Sequence, residues 1–292
     1  MFPEGVEELR GDITRLSDTQ SAVQGVDSVI HLAALLHIVN PPPELEDRYR
    51  RINVGGTEMV VNESIKAAVR HVVFFSTISV YGQTEGKVLN EESPISPGTY
   101  YAQTKLMAEK IVLAARCRDG RPLGTVLRLA TVYGACIKGN FQQFVRALVR
   151  GYFIPIGNGK NRRTLVYAGD VARAAALAMQ NPLAAGKIYN VTDGKFHTIN
   201  EISSAICQAA GLTPPRFSIP IYPVRFCTGI LEFFSQLIGK HSPINRAMID
   251  KFTEDVAVEG ERIQVELGFR PEYGLHAAWQ DALREMREHG EL

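Results

Sequence analysis

The sequence has no CxxC pair and no Cys/His cluster with zinc spacing; its four cysteines, Cys117, Cys136, Cys207 and Cys227, are scattered. That leaves no metal site or disulfide framework to read from spacing, and dispersed thiols predict a cytoplasmic protein. The seven histidines are equally scattered and read as structural or surface residues. No run reaches the roughly 20 apolar residues of a membrane span. The most apolar late stretch, YPVRFCTGILEFFSQLIG, is broken by Arg225 and Glu232 and predicts a buried or lid helix. MFPEGVEELR is acidic without an apolar centre, so no signal peptide is expected there. Charge of one sign is also lacking. With 32 Lys and Arg against 31 Asp and Glu, there is no broad electrostatic case for nucleic acid or an anionic membrane. Any anionic ligand must be held by local groups. Neither an internal repeat nor a low-complexity linker breaks the 292 residues.

What is present alternates between strand and helix. VEELRGDI reads as a short strand ending at Asp12, and LSDTQSAVQG as a helix with Ser17 at its cap. VDSVIHLAA and HVVFFST are apolar runs of strand length, separated by the helical pattern NVGGTEMVVNESIKAAV. A long helix over 100 to 117, the strand GTVLRLATVYG and the helix NFQQFVRALVRG follow. Such alternation predicts an α/β fold, a doubly wound parallel sheet with helices on both faces. Its strands are nearly continuous apolar runs, as double-sided burial requires. Ligands of these sheets gather beyond the carboxyl ends of the strands. There the chain offers Asp12, the run His31-Leu32-Ala33-Ala34, and Ser76-Thr77. After residue 150 a Gly-rich turn, two strand-helix units and a proline-rich tail predict a smaller C-terminal α/β module. Asp170 is expected to cap the helix that begins near it.

TYYAQTKLMAEKIV sets Tyr101 and Lys105 four residues apart, on one helix face. A free phenol titrates near 10 and is a poor base at neutral pH. A nearby ammonium favours its ionised form, and the pair is then suited to take a proton from a carbinol. Alone, YxxxK occurs by chance in many helices. Here it follows FFSTISVYG, whose Ser76 and Thr77 end an apolar strand and offer a hydroxyl to orient a substrate oxygen. The competing reading is that these hydroxyls only satisfy backbone at a strand end.

Taken in order, GDIT, HLAA, NVGGT, FFSTISVYG, YAQTK, LRLATVYG, IGNGKNRRTLVYAGDVA, YNVTDG and ELGFRP resemble the extended short-chain dehydrogenase/reductases, in their NAD-dependent nucleotide-sugar epimerase/dehydratase branch. The resemblance runs from about residue 5 to the C-terminus. It implies a Rossmann-like sheet over residues 1–150 and a mainly substrate-binding module over 151–292, with segments returning to the main sheet. It implies NAD as cofactor, a nucleotide-sugar substrate and a homodimer formed by pairing two helices per subunit. Tyr101 matches the catalytic base, Lys105 its partner at the nicotinamide ribose, and Thr77 the catalytic hydroxyl. Asp12 and Ile13 match the pair at the adenine; Leu32, Ala33 and Ala34 fall where backbone passes the cofactor. Ser76 and Arg128 are implied beside the cofactor, and Asn140 and Arg163 at the substrate. Arg162 competes with Arg163 for the diphosphate, where a guanidinium fork suits phosphate oxygens. Asn53 matches a helix-start asparagine near the active site, or a plain cap.

One departure concerns the cofactor cradle. The family opens with a strand, GxxGxxG, a helix and a second strand, and no GxxGxxG occurs in this chain. Glycines of that motif let backbone approach the pyrophosphate. The expectation is an N-terminally truncated Rossmann-like domain, short of about 50 residues for such a unit, that binds NAD weakly in this form. The resemblance implies an epimerase working through a transient keto intermediate. Dehydration is disfavoured, because Ile78 and Ser79 stand where dehydratases carry an acidic pair. A dehydrogenase or reductase of a sugar or hydroxysteroid-like substrate is the second reading, on the apolar residues Phe226, Phe233 and Phe234. A non-catalytic binding module is the third.

Overall fold

The computed structural model describes residues 5–36, 38, 42–135, 140–215, 217–237 and 246–292, with the side chains of 43, 140, 233, 234, 236, 237, 246–248 and 251 left out of the description. The strands are β1 (Ser28–His31), β2 (His71–Thr77), β3 (Val88–Leu89), β4 (Gly124–Leu129), β5 (Thr131–Tyr133), β6 (Arg162–Tyr167), β7 (Ile188–Val191), β8 (Phe196–Thr198) and β9 (Ala257–Val258). The helices are α1 (Leu16–Val23), α2 (Glu46–Tyr49), α3 (Gly56–Lys66), α4 (Tyr100–Ala114), α5 (Asn140–Val149), α6 (Ala168–Gln180), α7 (Ile199–Ala210), α8 (Ile221–Leu237), α9 (Arg246–Thr253), α10 (Glu261–Leu267) and α11 (Leu275–Glu288).

Four parallel strands form the main sheet in the order β1-β2-β4-β7. In β2 the even residues Val72 and Phe74 face α3 and α4, and Val73 and Phe75 face α6. The period of two thus sorts one apolar run into two cores. Each fully buried aliphatic or aromatic side chain in them contributes roughly 1.5–3 kcal/mol. Thr99 starts α4 by accepting a hydrogen bond from the Ala102 amide at 3.2 Å, and Ala102, Ala108 and Val112 line the helix's buried face.

The expected single strand GTVLRLATVYG is two strands. After Ala130 the chain leaves β4 and enters a second sheet, β5-β6-β8, backed by α5, α7 and α11. β3 and β9 form a two-stranded patch of their own. No strand forms over residues 5–12; Val6 and Leu9 are exposed, and three residues apart they lack the period of two that would give the stretch one apolar strand face. Ser17 is not the cap of α1, which starts after Arg15; Ser17 instead donates to Asp18 inside the first turn. Asp170 does not cap α6 either. Fully buried, it binds Arg173 at 2.9 Å and accepts the Glu272 and Tyr273 amides, fastening the chain before α11 to α6.

Candidate active site

The carboxyl ends of β1 and β2 meet the start of α4, which packs on β2, β4 and the 3-10 turn Ile78–Tyr81. Lys105 is 2% exposed, its ammonium 4.0 Å from the centre of the Phe74 ring. Burial pushes this lysine down to about 7, with Glu109, one turn along α4, opposing the shift. His31 ends β1 close enough to feel the same charge. Burial first, then Lys105, push its imidazole down to about 4, so it is neutral at neutral pH. Thr57 donates its hydroxyl to the Asn53 carbonyl at 2.7 Å, leaving its oxygen to accept from His31 Nε2 at 2.9 Å.

Tyr101 departs from the expectation of an acidified phenol. Burial of its hydroxyl, and then the neighbouring Tyr49, push it up to about 12. The Lys105 ammonium itself lies over the Phe74 ring. Thr77 is half-buried and caps the turn that follows it. Its oxygen accepts from the Ser79 amide at 3.2 Å, and it donates to the Ser79 hydroxyl at 3.1 Å.

Ser76 and Arg128 lie elsewhere than beside these groups. Ser76, Arg128 and Asn190 are paired neighbours across β2, β4 and β7, and their side chains are buried. Glu109 closes one end of this row, accepting from Ser76 at 2.5 Å and from the Arg128 fork at 2.7 and 3.0 Å. Tyr81 closes the other, accepting from Arg128 at 3.0 Å and donating to Asn190 at 2.8 Å. The hydrogen bonds that Ser76 and Arg128 make among the described residues lie inside the fold. Glu109 was not among the expected residues, although its position four after Lys105 made it legible.

Asp12 stands exposed, with Oδ1 accepting the Thr14 amide and hydroxyl, both at 2.8 Å. Those hydrogen bonds hold its carboxyl below the usual range. Ile13 fills the space that a side chain at residue 56 would need: a Cβ on Gly56 would stand 2.5 Å from Ile13 Cδ1. Leu32 and Ala33 are exposed and Ala34 half-buried, so the backbone after β1 is open to approach. Asn53 is no cap. Buried in a π-helical turn, it accepts the Leu35 amide at 2.7 Å and donates to the Leu35 carbonyl and Thr104 hydroxyl, both at 3.1 Å.

On the second sheet Arg162 is committed to Asp255 through an ion pair at 2.6 Å. Arg163 donates to the Phe252 carbonyl at 3.1 Å, and burial lowers its pKa. The Asn140 side chain lies outside the described residues, as do those of Phe233 and Phe234. An open cleft of about 580 Å³, lined by Asp193, His197, Glu201 and His276, shares none of the expected site residues. No helix among the described residues is long and apolar enough to cross a membrane.

A nicotinamide dinucleotide fits part of this arrangement. The buried ammonium of Lys105, the open small-residue backbone after β1 and the exposed Asp12 carboxylate suit its ribose, backbone-contacting and adenine portions. The sequence supplies no glycine-rich turn for its pyrophosphate.

Residues 3–192 match the family described as "NAD dependent epimerase/dehydratase family". The chain is 26% identical over 274 residues to the UDP-glucose 4-epimerase of Vibrio cholerae, covering 92% of this chain and 80% of that protein. It is 25% identical over 268 residues to the N-acetyl-alpha-D-glucosaminyl-diphospho-ditrans,octacis-undecaprenol 4-epimerase of Escherichia coli O157:H7, covering 91% and 79%. Against short-chain dehydrogenase/reductase family 42E member 1 of Bos taurus the identity is 28% over 316 residues, covering 99% and 78%. Among solved structures, MoeE5 in complex with UDP-glucose and NAD superposes with a TM-score of 0.73 at 26% identity, over 96% of this chain and 85% of that one. The Bordetella bronchiseptica enzyme WbmG, in complex with NAD and UDP, superposes with a TM-score of 0.74 at 20% identity, over 99% and 82%, a likeness of fold.

Proposed function

The chain belongs to the NAD-dependent epimerase/dehydratase family, and from that premise we propose that it inverts a hydroxyl-bearing carbon of a nucleotide sugar through a transient keto intermediate. The epimerase names of two relatives and the UDP-glucose in the MoeE5 complex support the substrate class. The observation that carries the reading is Lys105, a buried ammonium one helical turn after Tyr101. Burying such a charge is costly, and a site for proton transfer beside bound anionic ligand is a reason to bear the cost.

In this reading NAD, with Lys105 at its ribose, would supply the hydride acceptor and donor for the carbinol carbon. Tyr101 Oη accepts the hydroxyl proton and gives it back. A phenol near 12 keeps its proton at neutral pH, so the ionised form depends on ligand hydroxyls bringing it within reach of the Lys105 charge. Thr77 Oγ1, turned from Ser79 towards the sugar, orients the reacting oxygen. Arg163 and Asn140 bear on the diphosphate end, with Arg162 excluded by its bond to Asp255. The outward face of α4, where Met107 is exposed, and the adjoining α3 are the surfaces for a homodimer, which sedimentation would measure. Free Cys117, Cys207 and Cys227 suit a reducing cytoplasm.

The test is incubation with NAD and nucleotide sugars including UDP-glucose, with products resolved by NMR. The expected result is a mixture of epimers without accumulation of reduced nicotinamide, slowed about 10²–10⁴-fold by Tyr101→Phe. An equally active Tyr101→Phe variant, or no epimer from any sugar, would overturn it. The exposed apolar face of α8, with Tyr222 and Phe226 at 82% and 69% exposure, favours a second reading, oxidation of a hydrophobic hydroxysteroid-like alcohol. Accumulating reduced nicotinamide would select that one.

A further inference from the structure

α4 lays two consecutive turns on two consecutive inward residues of β2. Lys105 covers Phe74, and Glu109 receives the hydroxyl of Ser76. Residues four apart share a helix face and residues two apart share a strand face, so both contacts follow from one packing of helix on strand. Glu109 is 1% exposed and cannot swing away, because the Arg128 fork and Ser76 grip both of its oxygens. Lys105 makes no ion pair among the described residues.

We propose that Glu109 is a positioning residue for Lys105: its carboxylate, fixed by Arg128 and Ser76, keeps the Lys105 side chain charged in its buried seat over Phe74. The inference rests on the reading of Lys105 as the cation of the site. The titratable groups around that lysine come from several elements. His31 comes from β1 and is neutral; Arg128 comes from β4 and is bound to Glu109. Tyr101 shares α4 and faces Tyr49 of α2. Glu109 is the one negative charge in this set. Without it the buried ammonium retains only the Phe74 face, and at neutral pH the lysine would give up its proton. A neutral lysine could neither favour the ionised form of Tyr101 nor hold a ribose as a cation.

The experiment follows the lysine Cε resonances by carbon-13 NMR as pH is raised, on the chain without added cofactor. Lys105 is identified by the loss of its signal in Lys105→Met. Glu109→Gln is expected to lower the Lys105 midpoint by about one pH unit or more, and Glu109→Asp to recover part of the shift. Because Glu109→Gln leaves Arg128 buried without its partner, Glu109→Gln combined with Arg128→Met is measured as well. That pair removes both charges, and thermal melts report its fold. Arg128→Met alone is expected to move the midpoint upward, since Glu109 then has no second cation. General loosening of the fold would move every variant in one direction. In the folded double variant the Lys105 midpoint is expected below that of Arg128→Met; a midpoint equal to that of Arg128→Met would overturn the proposal. Nucleotide-sugar turnover by Lys105→Met is a separate readout: turnover at the parent rate would defeat the reading of the site, while the midpoint still decides the role of Glu109.

Discussion

Lys105 and Phe74 meet as cation and ring, 4.0 Å apart, with the lysine almost wholly out of solvent. A buried cation–π contact returns about 2 kcal/mol, less than the cost of taking an ammonium from water. Lys105 therefore weakens the fold.

That imbalance has a sign and a pH window. In the folded chain Lys105 titrates at about 7, against an ordinary value of 10.5. Below 7 the protonated lysine favours the unfolded chain by the full shift. Between 7 and 10.5 the penalty fades as the unfolded chain loses the same proton. Lys105→Met is accordingly expected to stabilise the protein near pH 6, by on the order of 4 kcal/mol. The gain should shrink towards nothing near pH 10. Thermal melts at the two pH values check it; a gain that persists at high pH would place its origin in packing.

His31 works in the acid range. Its folded-state value of about 4 lies below the ordinary 6.5, so the unfolded chain binds the proton first. Its contribution is present above pH 6.5 and is lost as pH falls through 4, to a total of roughly 3 kcal/mol. Replacing His31 by Asn should flatten the acid limb of a stability profile over that interval. Chemical denaturation at several pH values measures the slope.

Tyr133 and Trp279 stack at 4.7 Å in the second core, and their Oη and Nε1 are buried without hydrogen-bond partners among the described residues. An unpaired buried polar atom costs about 1–3 kcal/mol. Tyr133→Phe removes one of the two while keeping the stacked ring. It is expected to leave stability unchanged or to raise the melting temperature by a few degrees. Loss of more than about 1 kcal/mol would show that the hydroxyl has a partner worth keeping.

Long apolar strands and the helix bearing Tyr101 were legible because each has one pattern and one place to go. HVVFFST can only be a strand covered on both sides, and it is β2. The short, solvent-facing stretch around Val6 and Leu9 forms no strand, since its two apolar residues, three apart, do not share one strand face. Ser76 and Thr77 show another limit. They adjoin in sequence, yet the strand period sends them to opposite faces: one into the row beneath α4, the other into the turn at the strand end. Likeness to a family places a segment near a ligand without saying which side chains turn towards it. For Arg128 the likeness implies a place beside the cofactor, and its register beside Ser76 and Asn190 explains its burial. The altered titration of Tyr101 was beyond sequence reasoning, because it depends on burial in the fold and then on Tyr49, fifty-two positions earlier.

Asn53 grips the main chain at Leu35 with two hydrogen bonds and reaches Thr104 with a third. Thr104 precedes Lys105, and Leu35 follows the run that faces the nucleotide in the family likeness. A single amide thus splices the chain after β1 to α4, so that a tug on either is passed directly to the other. The distance between those two segments is thereby fixed by one side chain.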